Sequence, residues 1–177
     1  EKTNVYMVDF PRDGDANYDG VWGYNNLTLK NGWHTGSATH TNLKAIGSFS
    51  GNVGYCIEPG VHLSMGQSMT QYDENYFNNI QANGVISGDE IRQYIGRILQ
   101  YGYRGTISTS WRSQNEAAAN SIAHAYATQL LIWETIVGER DANFNHKAAS
   151  GCSNVKDVVN AAHPLRSKIF SYYDSMV

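Results

Sequence analysis

Apolar positions alternate with polar or small ones over the first seventy or so residues and recur every three or four residues after that. Val5 to Val8 reads as a short strand, and Val21 to Tyr24 with Leu27 to Leu29 reads as a hairpin around the turn-prone Asn25-Asn26. Ala45 to Phe49 and Asn52 to Ile57 form a second predicted pair joined through Gly51, stopped after Glu58 by Pro59-Gly60. Alternation puts Val53, Tyr55 and Ile57 on one face and Gly54, Cys56 and Glu58 on the other. From about Asp73 the period becomes helical. Ser87 with Glu90 resembles a capping box ahead of Ile91, Tyr94, Ile95, Ile98 and Leu99, and Gly102 ends that helix. Ser113 with Glu116 repeats the signal before a longer helix, Gln114 to Val137, that stops at Gly138. A last helical stretch starts near Val155 and is restarted by Pro164. Strands first and helices second predict an α+β fold, with residues 1–72 mainly β and 73–177 mainly helical within one domain, 1–177.

Composition narrows the function classes. Hydrophobic residues make up 41% of the 177 positions and there are only three prolines, enough apolar content for a core that folds alone. Charged residues are 16% with a net charge of −3, so the polar surface rests on neutral Asn, Ser, Thr, Gln and Tyr, a composition that leans extracellular. No basic stripe exists to neutralise phosphates, so nucleic acid is not an expected partner. No apolar run is long enough to span a bilayer, so no membrane insertion is expected in this segment. The start at Glu1 carries no signal peptide, and an exported protein would keep its signal and anchor outside these residues.

Two positions do not fit a bland domain. The long helix carries an apolar stripe of Ile122, Ala125, Tyr126, Ile132, Trp133 and Ile136, and Gln129 stands in the middle of it. An unpaired amide in a core costs on the order of 1–3 kcal/mol, so Gln129 needs partners or a purpose. Cys56 sits near a strand end, and with Cys152 it leaves a disulfide, two buried thiols or one functional thiol open. The absence of any Cys-x-x-Cys excludes a zinc ribbon or a thioredoxin-type centre.

Tyr55-Cys56-Ile57-Glu58-Pro59-Gly60 together with Ala127-Thr128-Gln129-Leu130-Leu131-Ile132-Trp133, the Gln lying seventy-three residues after the Cys, resembles the paired signatures of thioester domains in Gram-positive surface adhesins. The Thr-Gln-x-Ala form of the second motif has Ala where this chain has Leu131, a departure that concerns subfamily. The resemblance implies an N-terminal antiparallel β-sheet or sandwich portion packed with a helical subdomain, and an internal thioester between a strand Cys56 and a helix Gln129. It implies no cofactor and no metal. The partner it implies is a host surface or matrix protein whose lysine amine captures the Gln129 acyl group. The domain would be a single-use anchor rather than a turnover enzyme, monomeric within a longer multidomain protein fixed to the cell wall. A thiolate is both a good nucleophile and a good leaving group, and a primary amide is the acyl group a neutral side chain offers.

Such a bond needs water excluded, and Tyr55, Tyr126 and Trp133 are the candidate shield. Proton transfer needs an acid or base; Glu58 shares the predicted face of Cys56 and ranks ahead of Glu134, His62 and His124. Two other function classes stand beside this one: a non-covalent extracellular module with a Cys56–Cys152 disulfide, and a cysteine hydrolase pairing Cys56 with His146 or His163. The hydrolase fits poorly, because Cys56 is predicted on a strand and not at a helix N-terminus. The run Asp13 to Gly20 lacks the glycine and glutamate of a calcium loop, and His34 with His40 has no third ligand at metal spacing.

Overall fold

The computed structural model describes residues 2–4, 6–8, 45–49, 52–55, 57, 68–70, 80–105, 116–148, 154–159 and 165–177. Five short strands come first: β1 (Lys2–Asn4), β2 (Tyr6–Val8), β3 (Ala45–Phe49), β4 (Asn52–Gly54) and β5 (Ser68–Thr70). They pair antiparallel as a two-stranded ladder, β1 with β5, and a three-stranded one in the order β2-β3-β4. The helices α1 (Gly88–Tyr101), α2 (Glu116–Val137) and α3 (Arg166–Met176) follow, with a 3-10 turn at Val155–Val158 before α3.

The expected N-terminal β-sheet or sandwich portion is corrected by these elements. The described residues are predominantly helical, strand is confined to pieces of three to five residues, and no sandwich is present among them. The reason is visible in the register. Gly47 lies opposite Gly54, so that pair of positions offers no side chain to either face, and the β2-β3 register shifts between Met7 and Val8. A three-residue strand puts at most two side chains on one face, too few to roof a core. Tyr55 lies beyond the end of β4, so the alternation expected through Ile57 stops at Gly54. The hairpin expected over residues 21–29, and the helical onset expected near Asp73, lie outside the described residues.

Helix α1 obeys its local signals, while Ser113 and Gln114, expected at the start of α2, lie outside the described residues. At the start of α1 the Ser87 hydroxyl accepts the Glu90 N–H at 3.1 Å and the Glu90 carboxylate accepts the Ser87 N–H at 3.1 Å, the reciprocal pair that satisfies two orphan donors. Ile91, Ile95 and Ile98 then form its buried face. The helix ends where the Gly102 N–H reaches the Ile98 carbonyl at 2.6 Å.

Helix α2 is the centre of the described structure. It packs against α1, α3 and the 3-10 turn, and every residue from Ala125 to Thr135 is buried. A helix apolar almost all round has to be central, since no side of it can face water without cost. Leu130, Leu131 and Ile132 are each at most 1% exposed, and full burial of one such side chain stabilises by about 1.5–3 kcal/mol. Its end is a glycine stop. Gly138 has φ 89°, and the Glu139 N–H reaches back to the Glu134 carbonyl at 2.8 Å, the bond that closes a left-handed C-terminus. The Asn83 amide covers further orphan carbonyls, donating to Thr135 at 2.9 Å and Ile136 at 3.3 Å. Among the described residues no helix is long and apolar enough to cross a membrane.

Candidate functional site

Gln129 occupies the middle of α2 and is 2% exposed. Its helix neighbours three and four residues away are Ala125, Tyr126, Ile132 and Trp133, all buried, so the amide stands in surroundings that exclude water. Two of the three candidate shield residues, Tyr126 and Trp133, are therefore placed around Gln129 by helix geometry alone. Burial pushes the Tyr126 phenol well above its ordinary pKa, which keeps it neutral.

Thr128, the residue before Gln129, is fully buried and faces the end of α1. Its hydroxyl donates to the His124 carbonyl one turn earlier at 2.8 Å and accepts the backbone N–H of Tyr103 at 3.0 Å. The approach is close enough to require a glycine. A Cβ on Gly102 would lie 2.5 Å from Thr128 Cγ2 and 2.7 Å from the Ile98 carbonyl oxygen, although the Gly102 backbone, φ −79° and ψ 178°, suits any residue.

Tyr55, the residue before Cys56, comes to the same place. Its hydroxyl donates to the backbone carbonyl of Tyr103 at 2.6 Å, and both Tyr55 and Ile57 pack against the core cluster that contains α2. Burial raises the Tyr55 pKa, the neighbouring Thr128 side chain partly offsets that rise, and Tyr103 adds to it. The two motifs thus converge on one residue: Tyr103 gives its N–H to the Thr-Gln segment and takes a hydroxyl from the Tyr-Cys segment. Cys56, Glu58, His62, Cys152 and His163 lie outside the described residues.

The remaining proton-transfer candidates are engaged elsewhere. His124 brings Nε2 to 3.1 Å from the Tyr101 carbonyl and stacks on Tyr172 with ring centroids 4.6 Å apart. Glu134 is fully buried in a charge network at the far end of α2. Tyr173 donates to its two oxygens at 2.6 and 2.8 Å, and Arg140 Nη2 lies 3.3 Å from Oε1. Glu139 accepts the Val155 N–H at 3.0 Å, and His146 Nε2 stands 3.2 Å from Glu139 and 3.6 Å from Glu134. Ligand atoms of Glu134, Glu139 and His146 fall within 4.8 Å of one another, a spacing a metal ion can use. In this network the buried Arg140 guanidinium supplies the positive charge beside those carboxylates.

Sequence reasoning found Gln129 through its polarity in an apolar helix and missed Tyr103, whose backbone N–H and C=O receive the two motif segments. It also missed the Glu134 network, although a glutamate inside the run Leu130 to Val137 is the same kind of signal as Gln129. A family model described as TED, thioester domain, matches residues 53–169, a span that includes both motifs. No curated protein and no solved structure matches the chain. With that match across most of its length, and with the segments bearing both motif residues drawn together at Tyr103, the chain belongs to the thioester domain family and so to the thioester-based adhesion modules.

Proposed function

We propose that Cys56 and Gln129 form an internal thioester and that the domain uses it to attach covalently to an amine on a host surface or matrix protein. In formation, Cys56 Sγ attacks Gln129 Cδ, the carbon–sulfur bond forms, the thiol proton passes to the amide nitrogen, and the carbon–nitrogen bond breaks with ammonia leaving. In capture, a lysine amine attacks the same carbon, Cys56 leaves as thiolate and takes up the amine's proton, and an intermolecular amide remains. Each domain acts once. The reading places the domain outside the cell, as a monomeric part of a longer wall-anchored protein.

The observation that carries this reading is the convergence at Tyr103. Tyr55 and Thr128, each the chain neighbour of one reacting residue, bind the C=O and the N–H of one amino acid. The buried, aromatic-flanked position of Gln129 supports it further, because a thioester persists only where water is excluded.

Intact mass of the denatured, unreduced chain tests the proposal. The expected result is a deficit of one ammonia that methylamine converts into its own added mass, and that Cys56→Ala and Gln129→Ala abolish while the fold is retained. A deficit of two hydrogens that reductant removes and methylamine ignores would overturn it in favour of a Cys56–Cys152 disulfide.

A further inference from the structure

We infer that Thr128 and Tyr55 are positioning residues for this bond, acting through the backbone of Tyr103; the inference rests on the thioester proposed above. The geometry is specific. A threonine hydroxyl has one proton, and Thr128 spends it on the His124 carbonyl at 2.8 Å, so the lone pairs that remain receive the Tyr103 N–H at 3.0 Å. That locks the Thr128 side chain against its own helix and fixes the rotation of α2 at the residue preceding Gln129.

Tyr55 closes the other side. It is half-buried, and its hydroxyl donates to the Tyr103 carbonyl at 2.6 Å. The N–H and the C=O of one residue lie on successive peptide planes, so bonds to both fix where Tyr103 sits and how it is turned. Gly102 lets the two sides come this close, because any Cβ there would meet Thr128 Cγ2 and Oγ1. The segment carrying the nucleophile and the helix carrying the acyl carbon are therefore tied to a single rigid intermediary by two hydroxyl groups.

Neither hydroxyl has to touch the reacting atoms. Their contribution is to hold the reacting segments in register, and intramolecular attack is highly sensitive to such placement: an error of 1 Å costs on the order of a hundredfold in rate. The inference assigns this task to the hydroxyl of Thr128, which distinguishes it from a threonine present for helix packing.

The test uses the whole chain and separates chemistry from stability. Ammonia opens the thioester to the amide and thiol; on its removal the bond re-forms, with ammonia released again, and the returning mass deficit gives a first-order rate. Thr128→Val keeps the shape and removes the hydroxyl, Thr128→Ser keeps the hydroxyl, and Tyr55→Phe removes only the phenol oxygen. The expected result is re-formation slowed on the order of tenfold to a hundredfold in Thr128→Val and in Tyr55→Phe. The double variant should be slowed by less than the product of the two single factors, because both act through Tyr103. Thr128→Ser should return to within about twofold of the parent rate, while urea midpoints fail to track the rates. Re-formation at the parent rate in Thr128→Val or, should that variant not fold, in Tyr55→Phe overturns the inference and leaves the thioester standing. A parent chain that never shows the ammonia deficit overturns the thioester reading and this inference with it.

Discussion

Replacing Arg140 with Met tests whether the charge network at the end of α2 is as tightly coupled as its geometry indicates. Arg140 is 3% exposed, Glu134 fully buried and Glu139 1% exposed. The guanidinium donates to the Phe144 carbonyl at 2.8 Å and to the Tyr173 hydroxyl at 2.6 Å, and lies 3.3 Å from Glu134. Methionine fills much of the same volume but leaves two adjacent buried carboxylates without the guanidinium beside them. Removing one partner of a buried ion pair costs about 3–5 kcal/mol, because the survivor keeps its desolvation penalty and loses its compensation. Against a domain stability of about 5–15 kcal/mol that is a large fraction, and with a urea slope of about 2 kcal/mol per molar it lowers the midpoint by about 2 M. The assay is urea unfolding at pH 7 followed by far-ultraviolet circular dichroism, with an unchanged slope as the check that only stability moved. Adding Glu134→Gln to Arg140→Met should recover part of the loss, since it removes the stranded charge. A loss below about 1 kcal/mol, or no recovery in the double variant, refutes the reasoning.

Three further outcomes follow from the same structure. Burial, the largest cause, raises the Glu134 pKa above its ordinary 4.5, against the opposing pull of Tyr173, Arg140 and His146 and with a further push from Glu139. The folded state therefore holds that proton to higher pH than the unfolded one, so the contribution is complete below 4.5 and lost as pH rises through the folded value. The stability of Glu134→Gln relative to the parent should accordingly improve over that rise in a series of urea titrations, and a constant difference would sink the assignment. Leu131→Ala, at a fully buried position on α2, should cost about 2–5 kcal/mol by urea unfolding, and a cost under 1 kcal/mol would show that α2 is not the centre of the core. Gly138→Ala puts a Cβ at φ 89° and 3.1 Å from Val85 Cγ2, and should lower stability by about 1–2 kcal/mol in the same assay. An unchanged Gly138→Ala midpoint would mean the turn after α2 is not held in the left-handed region.

The helical half of the fold was legible because its boundaries are written in contiguous residues. Ser87 and Glu90 make both bonds of the capping box, and Gly138 ends α2 through a backbone conformation that glycine adopts without penalty. The last helical stretch expected from about Val155 is met by a 3-10 turn at Val155–Val158 and by α3 from Arg166, while Pro164 lies outside the described residues. The strand half misled for the converse reason. Alternation measures which residues are apolar, not how many consecutive ones pair, and Gly47 against Gly54 shows how a pattern rich in Val, Ile and Phe can still leave an empty position in the ladder. The apolar stripe assigned to α2 was also too narrow. Thr128, Glu134 and Thr135 are as buried as Gln129, so the helix has no exposed side in its second half.

That last point changes what made Gln129 recognisable. Polarity inside a buried helix does not single it out, since Glu134 shares that property and spends it on Tyr173 and Arg140. What separates the two is the chain around them. Glu134 finds its partners at the C-terminal end of α2, in the Tyr173 hydroxyl and the Arg140 guanidinium. Gln129 is preceded by a threonine whose hydroxyl is turned toward Tyr103, and Tyr103 is bound in turn by the residue next to Cys56. The two hydroxyl bonds give no side-chain signal for Tyr103, because they use the N–H and C=O that almost every residue has. The sequence trace of this arrangement is instead Gly102, read from the chain as a helix stop and found in the fold as the clearance that lets α1 close onto Thr128. A glycine whose φ and ψ any residue could adopt, kept free of a side chain by the Thr128 side chain on another helix and by the Ile98 carbonyl of its own, records a tertiary requirement at a position where local propensity sees only the end of a turn.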